Sequence, residues 1–85
     1  MNDKEKIKEN VIQIASEVFL INQENIKINA SKENQSEWDS LAHLKLMIAI
    51  ESKFSIKFST DEILEINSLD DVTEIITSKN GLNLT

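Results

Sequence analysis

Apolar residues recur every three or four positions through the first twenty residues, which is the spacing of one helix face. The pattern predicts a first helix from about Lys4 to Phe19, with Lys and Glu on the solvent side. Phe19, Leu20 and Ile21 are expected to close this helix as an apolar cluster. The residues of the predicted buried stripe are Ile7, Val11, Ile14 and Val18.

The periodicity stops at residues 22–37, which are rich in Asn, Gln, Ser, Lys and Glu. Ile26, Ile28 and Ala30 interrupt this polar run and are expected to hold it onto a core. We therefore predict one long ordered loop. Structureless loops of this length are uncommon in compact domains and tend to be functional.

A second helix is predicted from Asp39 or Ser40 to about Phe54, and it carries two apolar stripes. Asp39 is expected to cap it, because a carboxylate accepts hydrogen bonds from the free N–H groups of a first turn. Trp38, one position earlier, is placed to pack back on His43. A surface helix needs one stripe for its own core, so the second requires a partner, a ligand or burial on all sides. The core stripe is Leu46, Ile50 and Phe54, flanked by Met47, and the second stripe is Leu41, Leu44 and Ile48.

Two further helices are predicted after an extended link at residues 54–58. A short one, capped by Ser59 or Thr60, ends at about Ile66. Ser68-Leu69-Asp70-Asp71 then resembles a capping box that opens a last helix from Leu69 to about Ser78. Its expected core face is Leu69, Val72, Ile75 and Ile76.

The expected fold class is therefore all-α: a small bundle of three main helices plus one short helix, with a long loop between helices one and two. Residues 1–85 are expected to form a single domain, with a core at about 5–78 and a tail at 79–85 that frays.

Composition narrows the function classes. The chain has no Cys, so disulfides and thiolate metal sites are excluded, and its only glycine, Gly81, rules out a Gly-rich phosphate loop. The net charge of −6 disfavours nucleic acid and anionic membranes and favours basic protein patches, although it also serves solubility. The polar N-terminus precedes no apolar signal region, and no apolar run reaches the roughly 18 residues of a membrane span. We predict a cytoplasmic protein without membrane insertion.

Candidate chemistry concentrates at Asp39-Ser40-Leu41. A serine in the first turn of a helix lies among N–H groups that lack intrahelical partners, at the positive end of the helix dipole. A phosphate ester on Ser40 would be stabilised by these donors. Ser and Asp also favour helix starts for purely structural reasons, so these residues alone leave both interpretations open.

Over residues 5–78 the sequence resembles the acyl carrier protein family. The resemblance rests on Asp39-Ser40-Leu41 at the start of the second helix, the two-striped helix itself, Phe54-Ser55-Ile56, and the acidic run that ends in Leu69-Asp70-Asp71-Val72. In that family the serine is esterified with 4′-phosphopantetheine, whose thiol carries acyl groups as thioesters between enzymes. The family shares the predicted helix order.

The resemblance implies a role for each residue of this region. Ser40 would be the phosphopantetheine attachment site, and Asp39 would fix the helix start and present Ser40 to a phosphopantetheinyl transferase. Other implied partners are acyl ligases or synthases and acyltransferases, met by a monomeric carrier. The implied partner face is Leu41, Leu44 and Ile48. The cargo is expected to fold back between the second and third helices, near Leu46, Ile50, Ile63 and Ile66.

Two departures from the family pattern favour a specialised carrier over one for housekeeping fatty-acid synthesis. The family's second helix is usually rich in Asp and Glu, whereas here Lys45 and Lys53 outnumber Glu51, the only acid between Ser40 and Phe54. The loop before the serine usually offers Gly where this chain has Trp38. An aminoacyl or peptidyl carrier of the same fold is an alternative, but those carriers typically have Gly before the serine. Asp39 favours an acyl cargo.

Other readings of the chain assign no cofactor. One is a helical protein-interaction module, in which Leu41, Leu44 and Ile48 form a docking surface. Another is a small hydrolase that uses Ser40 and His43, which would also need an oxyanion site and an orienting acid. We predict no enzyme activity, and we expect His43 to be a surface or partner-contact residue. A single His also makes a metal site improbable.

Overall fold

The computed structural model describes residues 3–27 and 29–84, with the backbone alone described at residue 3 and residues 80–84. Within these residues four α-helices follow one another in the predicted order, and no strand forms. They are α1 (Asp3–Phe19), α2 (Ser40–Phe54), α3 (Thr60–Glu65) and α4 (Leu69–Leu84). The prediction of an all-α bundle with three main helices and one short helix is confirmed.

The core lies where α1 packs against both α2 and α4. Each of these helices contributes side chains from the stripe that the sequence predicted. Val18, Phe54 and Ile75 lie at the edge of this core and are partly buried. Thr73, which the apolar pattern passes over, is fully buried because its hydroxyl donates to the Leu69 carbonyl at 3.0 Å. The predicted residues with no exposed surface are Val11, Leu46, Ile50, Leu69, Val72 and Ile76.

Both α1 and α2 end in a left-handed residue that is not glycine. Leu20 has φ 61° and Ser55 has φ 55°. In each case the next N–H returns to a carbonyl of the last turn: Ile21 donates to Ser16 at 3.1 Å and Ile56 to Glu51 at 3.2 Å, as in a Schellman motif. The prediction that Leu20 closes an apolar cluster is wrong, because this geometry turns Leu20 outward and leaves it 88% exposed.

The loop between α1 and α2 is ordered by contacts with the rest of the bundle. Its described residues include a 3₁₀ turn, Gln23–Asn25, and a bridge that pairs Ser31 with Ser68. At this bridge Lys32 donates to the Asn67 carbonyl and Leu69 donates to the Ala30 carbonyl, each at 3.0 Å. Ile26 and Ala30 are buried, as predicted, while Ile28 lies outside the described residues.

The last helix is longer than the sequence predicted. We expected it to end at about Ser78, whereas α4 continues to Leu84. Its start is as expected, because the Ser68 hydroxyl accepts from the Asp71 N–H at 3.1 Å. The Asp71 carboxylate returns one residue further back than in a standard capping box, to the Asn67 N–H at 2.9 Å. The predicted fraying of residues 79–85 stays a prediction, and Thr85 lies outside the described residues.

Candidate functional site

The start of α2 is built as predicted. Asp39 has extended backbone angles, and its carboxylate accepts from the Ala42 N–H at 2.8 Å. A cap of this kind contributes about 1 kcal/mol to helix stability. Ser40 is the first helical residue and is exposed. The polypeptide therefore presents the Ser40 hydroxyl to solvent at a helix start that a neighbouring carboxylate holds in place.

Trp38 and His43 form a hydrogen-bonded chain beneath Ser40. The Trp38 indole N–H donates to His43 Nδ1 at 2.9 Å, and His43 Nε2 lies 2.8 Å from the Ile63 carbonyl oxygen on α3. Because an indole N–H can only donate, Nδ1 must be the acceptor, so the proton of the neutral ring is on Nε2 and is donated to Ile63. The rings of Trp38 and His43 stack with their centroids 5.9 Å apart, and the Phe19 ring of α1 packs on Trp38 with a centroid separation of 5.5 Å.

The prediction that His43 is a surface or partner-contact residue is wrong. Its side chain is buried, with 7% of its surface exposed. Burial lowers the pKa of His43 from its ordinary value of 6.5, and the positive charge of Lys32 lowers it further, while the bond to Ile63 opposes both effects. Both ring nitrogens are already bonded, so His43 ties α2, Trp38 and α3 together and has no free lone pair for Ser40.

A groove of about 490 Å³ opens beside Ser40, between the start of α2 and α3. Its size is within the range of small-ligand sites. Of the four residues expected near the cargo, only Ile63 lines it, whereas Leu46, Ile50 and Ile66 have no exposed surface. The groove combines a cation, a hydroxyl and several apolar side chains. Its lining is Lys32, Trp38, Asp39, Ser40, His43, Leu44, Ile63 and Leu64.

The second apolar stripe of α2 is exposed, so it is not buried on all sides and remains available to a partner or a ligand. Leu41 is 61%, Leu44 52% and Ile48 65% exposed, and all three are on the side of α2 that faces away from the core. Leu64 on α3 is 70% exposed and shares the groove with Leu44. An apolar patch therefore extends from Ile48 past Ser40 to α3.

The site fits a phosphate ester on Ser40. No described hydrogen bond uses the N–H of Ser40 or Leu41, so these donors remain available at the positive end of the helix. The Asp39 carboxylate adds a negative charge nearby, but it is directed at the Ala42 N–H. Lys32 supplies a positive charge in the adjoining groove, and the groove leaves room for a flexible arm.

Comparison with known proteins agrees with this geometry. A family model described as a phosphopantetheine attachment site matches residues 9–76. The acyl carrier protein of Coprothermobacter proteolyticus is 28% identical over 76 residues, which cover 89% of this chain and 93% of that protein. The acyl carrier protein of Cyanidium caldarium is 32% identical over 79 residues, which cover 93% of this chain and 92% of that protein.

The fold and these matches define a carrier that bears a covalent 4′-phosphopantetheine group. More narrowly, the chain belongs to the acyl carrier protein family, whose members hold acyl groups as thioesters on that cofactor. Members of this family work with synthases, transferases and ligases. Among the described residues, no helix is both long enough and apolar enough to cross a bilayer.

Proposed function

We propose that Ser40 is the residue that carries phosphopantetheine in this acyl carrier protein. The observation that carries the proposal is the exposed Ser40 hydroxyl at a capped helix start, beside a groove with room for the arm. Asp39 acts by fixing this start, through its bond to Ala42, and so presents the hydroxyl to the modifying transferase. The thiol of the attached group then supplies the thioester chemistry.

An intact-mass measurement tests this proposal. The protein is incubated with coenzyme A, magnesium and a broad-specificity phosphopantetheinyl transferase. Ser40 Oγ forms a new bond to phosphorus and loses its proton, the pyrophosphate P–O bond of coenzyme A breaks, and adenosine 3′,5′-bisphosphate leaves. We expect a gain of one phosphopantetheine, mapped to the peptide that contains Ser40. A gain on another peptide would refute the assignment, and no gain on folded protein would favour the cofactor-free interaction module.

The groove beside Ser40 is the proposed resting place of the arm and its acyl cargo. Ile63, Leu44 and Leu64 offer apolar contact to the acyl group, and the groove begins at the attachment point itself. The packed core is a poorer site, because Leu46, Ile50 and Ile66 are fully buried. An aminoacyl cargo would fit the same groove less well, because its ammonium group would lie near the charge of Lys32.

We expect Leu41→Glu to slow acyl transfer by partner enzymes at least tenfold, because it places a charge in the centre of an apolar contact surface. Leu41 is 61% exposed, so the folded state should tolerate the change. The measurement is the rate of acyl loading of the phosphopantetheine-bearing protein, followed by mass. Gln13→Glu is the charge-matched control, because Gln13 is an exposed residue in the middle of α1. A loss of helical circular dichroism in Leu41→Glu would instead make Leu41 part of the core.

In this proposal the protein is a monomeric cytoplasmic carrier without catalytic activity of its own. The bonds of both His43 ring nitrogens argue against a Ser40–His43 hydrolase, since a general base needs a free lone pair on the nitrogen that meets the hydroxyl. Its partners are a phosphopantetheinyl transferase, an acyl ligase or synthase, and an acyltransferase. Turnover of an activated ester that is lost in Ser40→Ala would contradict the non-catalytic role.

A further inference from the structure

The groove beside Ser40 has α3 as one wall, and the side chains of α3 do little to hold that wall in place. α3 is six residues long, and none of its side chains is buried. Phe58 just before it and Ile66 just after it are buried, so the polypeptide is fixed at both ends of α3. A helix this short is not stable alone, and between these two anchors it depends on bonds to its neighbours.

One of these bonds comes from His43 on α2. α3 ends at Glu65, so the Ile63 carbonyl has no partner within the helix. The N–H that a longer helix would offer to it, that of Asn67, donates instead to the Asp71 carboxylate at 2.9 Å. The Ile63 carbonyl is satisfied by His43 Nε2, which lies 2.8 Å away.

A second bond reaches α3 from α4, where Lys79 Nζ lies 3.2 Å from the Glu62 carboxylate. Both of these side chains are 31% exposed, so solvent weakens the ion pair. His43 is buried, and its other ring nitrogen is held by the Trp38 N–H at 2.9 Å. Of the hydrogen bonds among the described residues, that of His43 is the one that joins α2 to α3.

His43 also stands between Ser40 and the core. At about 100° of rotation per residue, Ser40, His43, Met47 and Ile50 fall within an arc of about 80° on α2. An acyl chain that starts at Ser40 and follows this side of α2 inward meets the His43 ring one turn further on. His43 lines the groove, whereas Met47 and Ile50 are fully buried. Entry into the core would require α3 to move away from α2 and both His43 ring nitrogens to lose their partners.

We propose that His43 closes the core to the cargo, so that this carrier holds its acyl group in the surface groove and is suited to short acyl groups. The inference rests on the proposed function, in which Ser40 carries the arm. A short group can be covered by Leu44, Ile63 and Leu64. The methylene groups of a long chain would remain in water, because Leu44 and Leu64 are themselves more than half exposed and the core is shut.

The test compares acyl groups of different length on the same protein. A broad-specificity phosphopantetheinyl transferase transfers the acyl-phosphopantetheine of acetyl-coenzyme A or octanoyl-coenzyme A to Ser40. Ser40 Oγ loses its proton and displaces adenosine 3′,5′-bisphosphate, and the thioester is left intact, so no partner enzyme is needed. Intact mass confirms each form, and thermal unfolding followed by circular dichroism gives its melting temperature.

We expect the melting temperatures of the acetyl and octanoyl forms of the wild-type protein to differ by less than about 5 °C. Burial of the additional methylene groups in the core would raise the melting temperature of the octanoyl form by about 10 °C or more. In nuclear Overhauser spectra of the octanoyl form, the terminal methyl group should contact Leu44, Ile63 or Leu64 and should not contact Ile50.

His43→Ala tests the ring itself, because it removes both the obstacle and the bond to α3. In this variant the octanoyl form should melt about 10 °C or more above the acetyl form, since the acyl chain can now enter the core. Thr73→Ala is the control. It also removes a buried hydrogen-bonded side chain, but Thr73 lies on α4 and does not line the groove, so the wild-type difference should persist.

A terminal methyl group in contact with Ile50 in the wild-type protein would overturn the proposal, as would a wild-type difference above about 5 °C. A folded His43→Ala protein with a difference no larger than that of wild type would also overturn it. If His43→Ala does not fold, the methyl contacts in the wild-type protein decide. Failure of the proposed function is seen separately, because a protein without phosphopantetheine on Ser40 shows no gain in mass before any melting temperature is recorded.

Discussion

Ser40→Ala should abolish the gain of phosphopantetheine completely, because alanine offers no oxygen to form the phosphate ester. The fold should be unaffected. Ala is the best helix former, the cap of α2 comes from Asp39, and Ser40 is exposed, so the change creates no cavity. The measurement is intact mass after incubation with coenzyme A and the transferase, with circular dichroism on the same sample.

Ser52→Ala is the control for this experiment. Ser52 is also an exposed serine on α2, but it lies three turns further along the helix. This variant should gain one phosphopantetheine at the wild-type rate. A Ser40→Ala protein that still accepts the cofactor would show that the attachment site is elsewhere in the chain.

The fold was predictable because helical spacing decides it almost alone. The stripes that contain Val11, Leu46 and Val72 each have a period that only a helix can bury on one side. The helix start at Asp39 and Ser40 was predictable because a capping residue acts locally, on N–H groups two or three positions away. The exposure of Leu41, Leu44 and Ile48 was predictable because α2 carries two apolar stripes, whereas a surface helix needs only one for its core.

His43 could not be placed from its own neighbours. A lone polar residue on a helix is ordinarily exposed. Its burial depends on two partners, Trp38 and the Ile63 carbonyl, the second of which is twenty residues away. The position of Trp38 before the cap predicted its contact with His43. The contact of His43 Nε2 with the Ile63 carbonyl depends on how α3 packs against α2, which the local sequence does not give. The extent of α4 was missed for a different reason, since the apolar core face from which the helix was predicted ends at Ile76.

The position of the cargo site could not be predicted from the sequence for the same reason, because it depends on tertiary packing. Leu46, Ile50, Ile63 and Ile66 have the right character for an acyl pocket, and sequence cannot distinguish a pocket wall from a packed core. In the structure three of them fill the core, and Ile63 alone reaches the groove. Whether an apolar side chain lines a space depends on what the facing helices leave unfilled.

His43→Leu should lower the free energy of unfolding by about 1–3 kcal/mol at pH 7, because it leaves the buried Trp38 N–H without an acceptor. Trp38 is 3% exposed, so solvent is a poor substitute for that acceptor. Urea unfolding of His43→Leu, Trp38→Phe and the double variant gives the measurement. The loss of unfolding free energy in the double variant should be smaller than the sum of the two single losses by at least about 0.5 kcal/mol. Strict additivity would show that the Trp38–His43 bond contributes nothing specific.

The same bond should make the stability of the wild-type protein fall as the pH drops below about 6.5. The folded state lowers the pKa of His43, and protonation of Nδ1 would set two donors against each other at Trp38. The unfolded chain then binds more protons than the folded one, so stability rises with pH in this window. The contribution of neutral His43 is complete above its ordinary pKa of 6.5 and is lost as the pH falls through the folded value.

Because His43 is the only histidine, unfolding measured at pH 7.0 and 5.5 isolates this effect, and its imidazole NMR signals report the pKa directly. The wild-type protein should lose stability between these two pH values, and His43→Leu should lose much less. A His43 pKa at or above 6.5 in the folded protein, or an equal pH dependence in both proteins, would contradict the buried hydrogen-bonded ring. The carboxylates cannot produce the difference between the proteins, since both carry the same set.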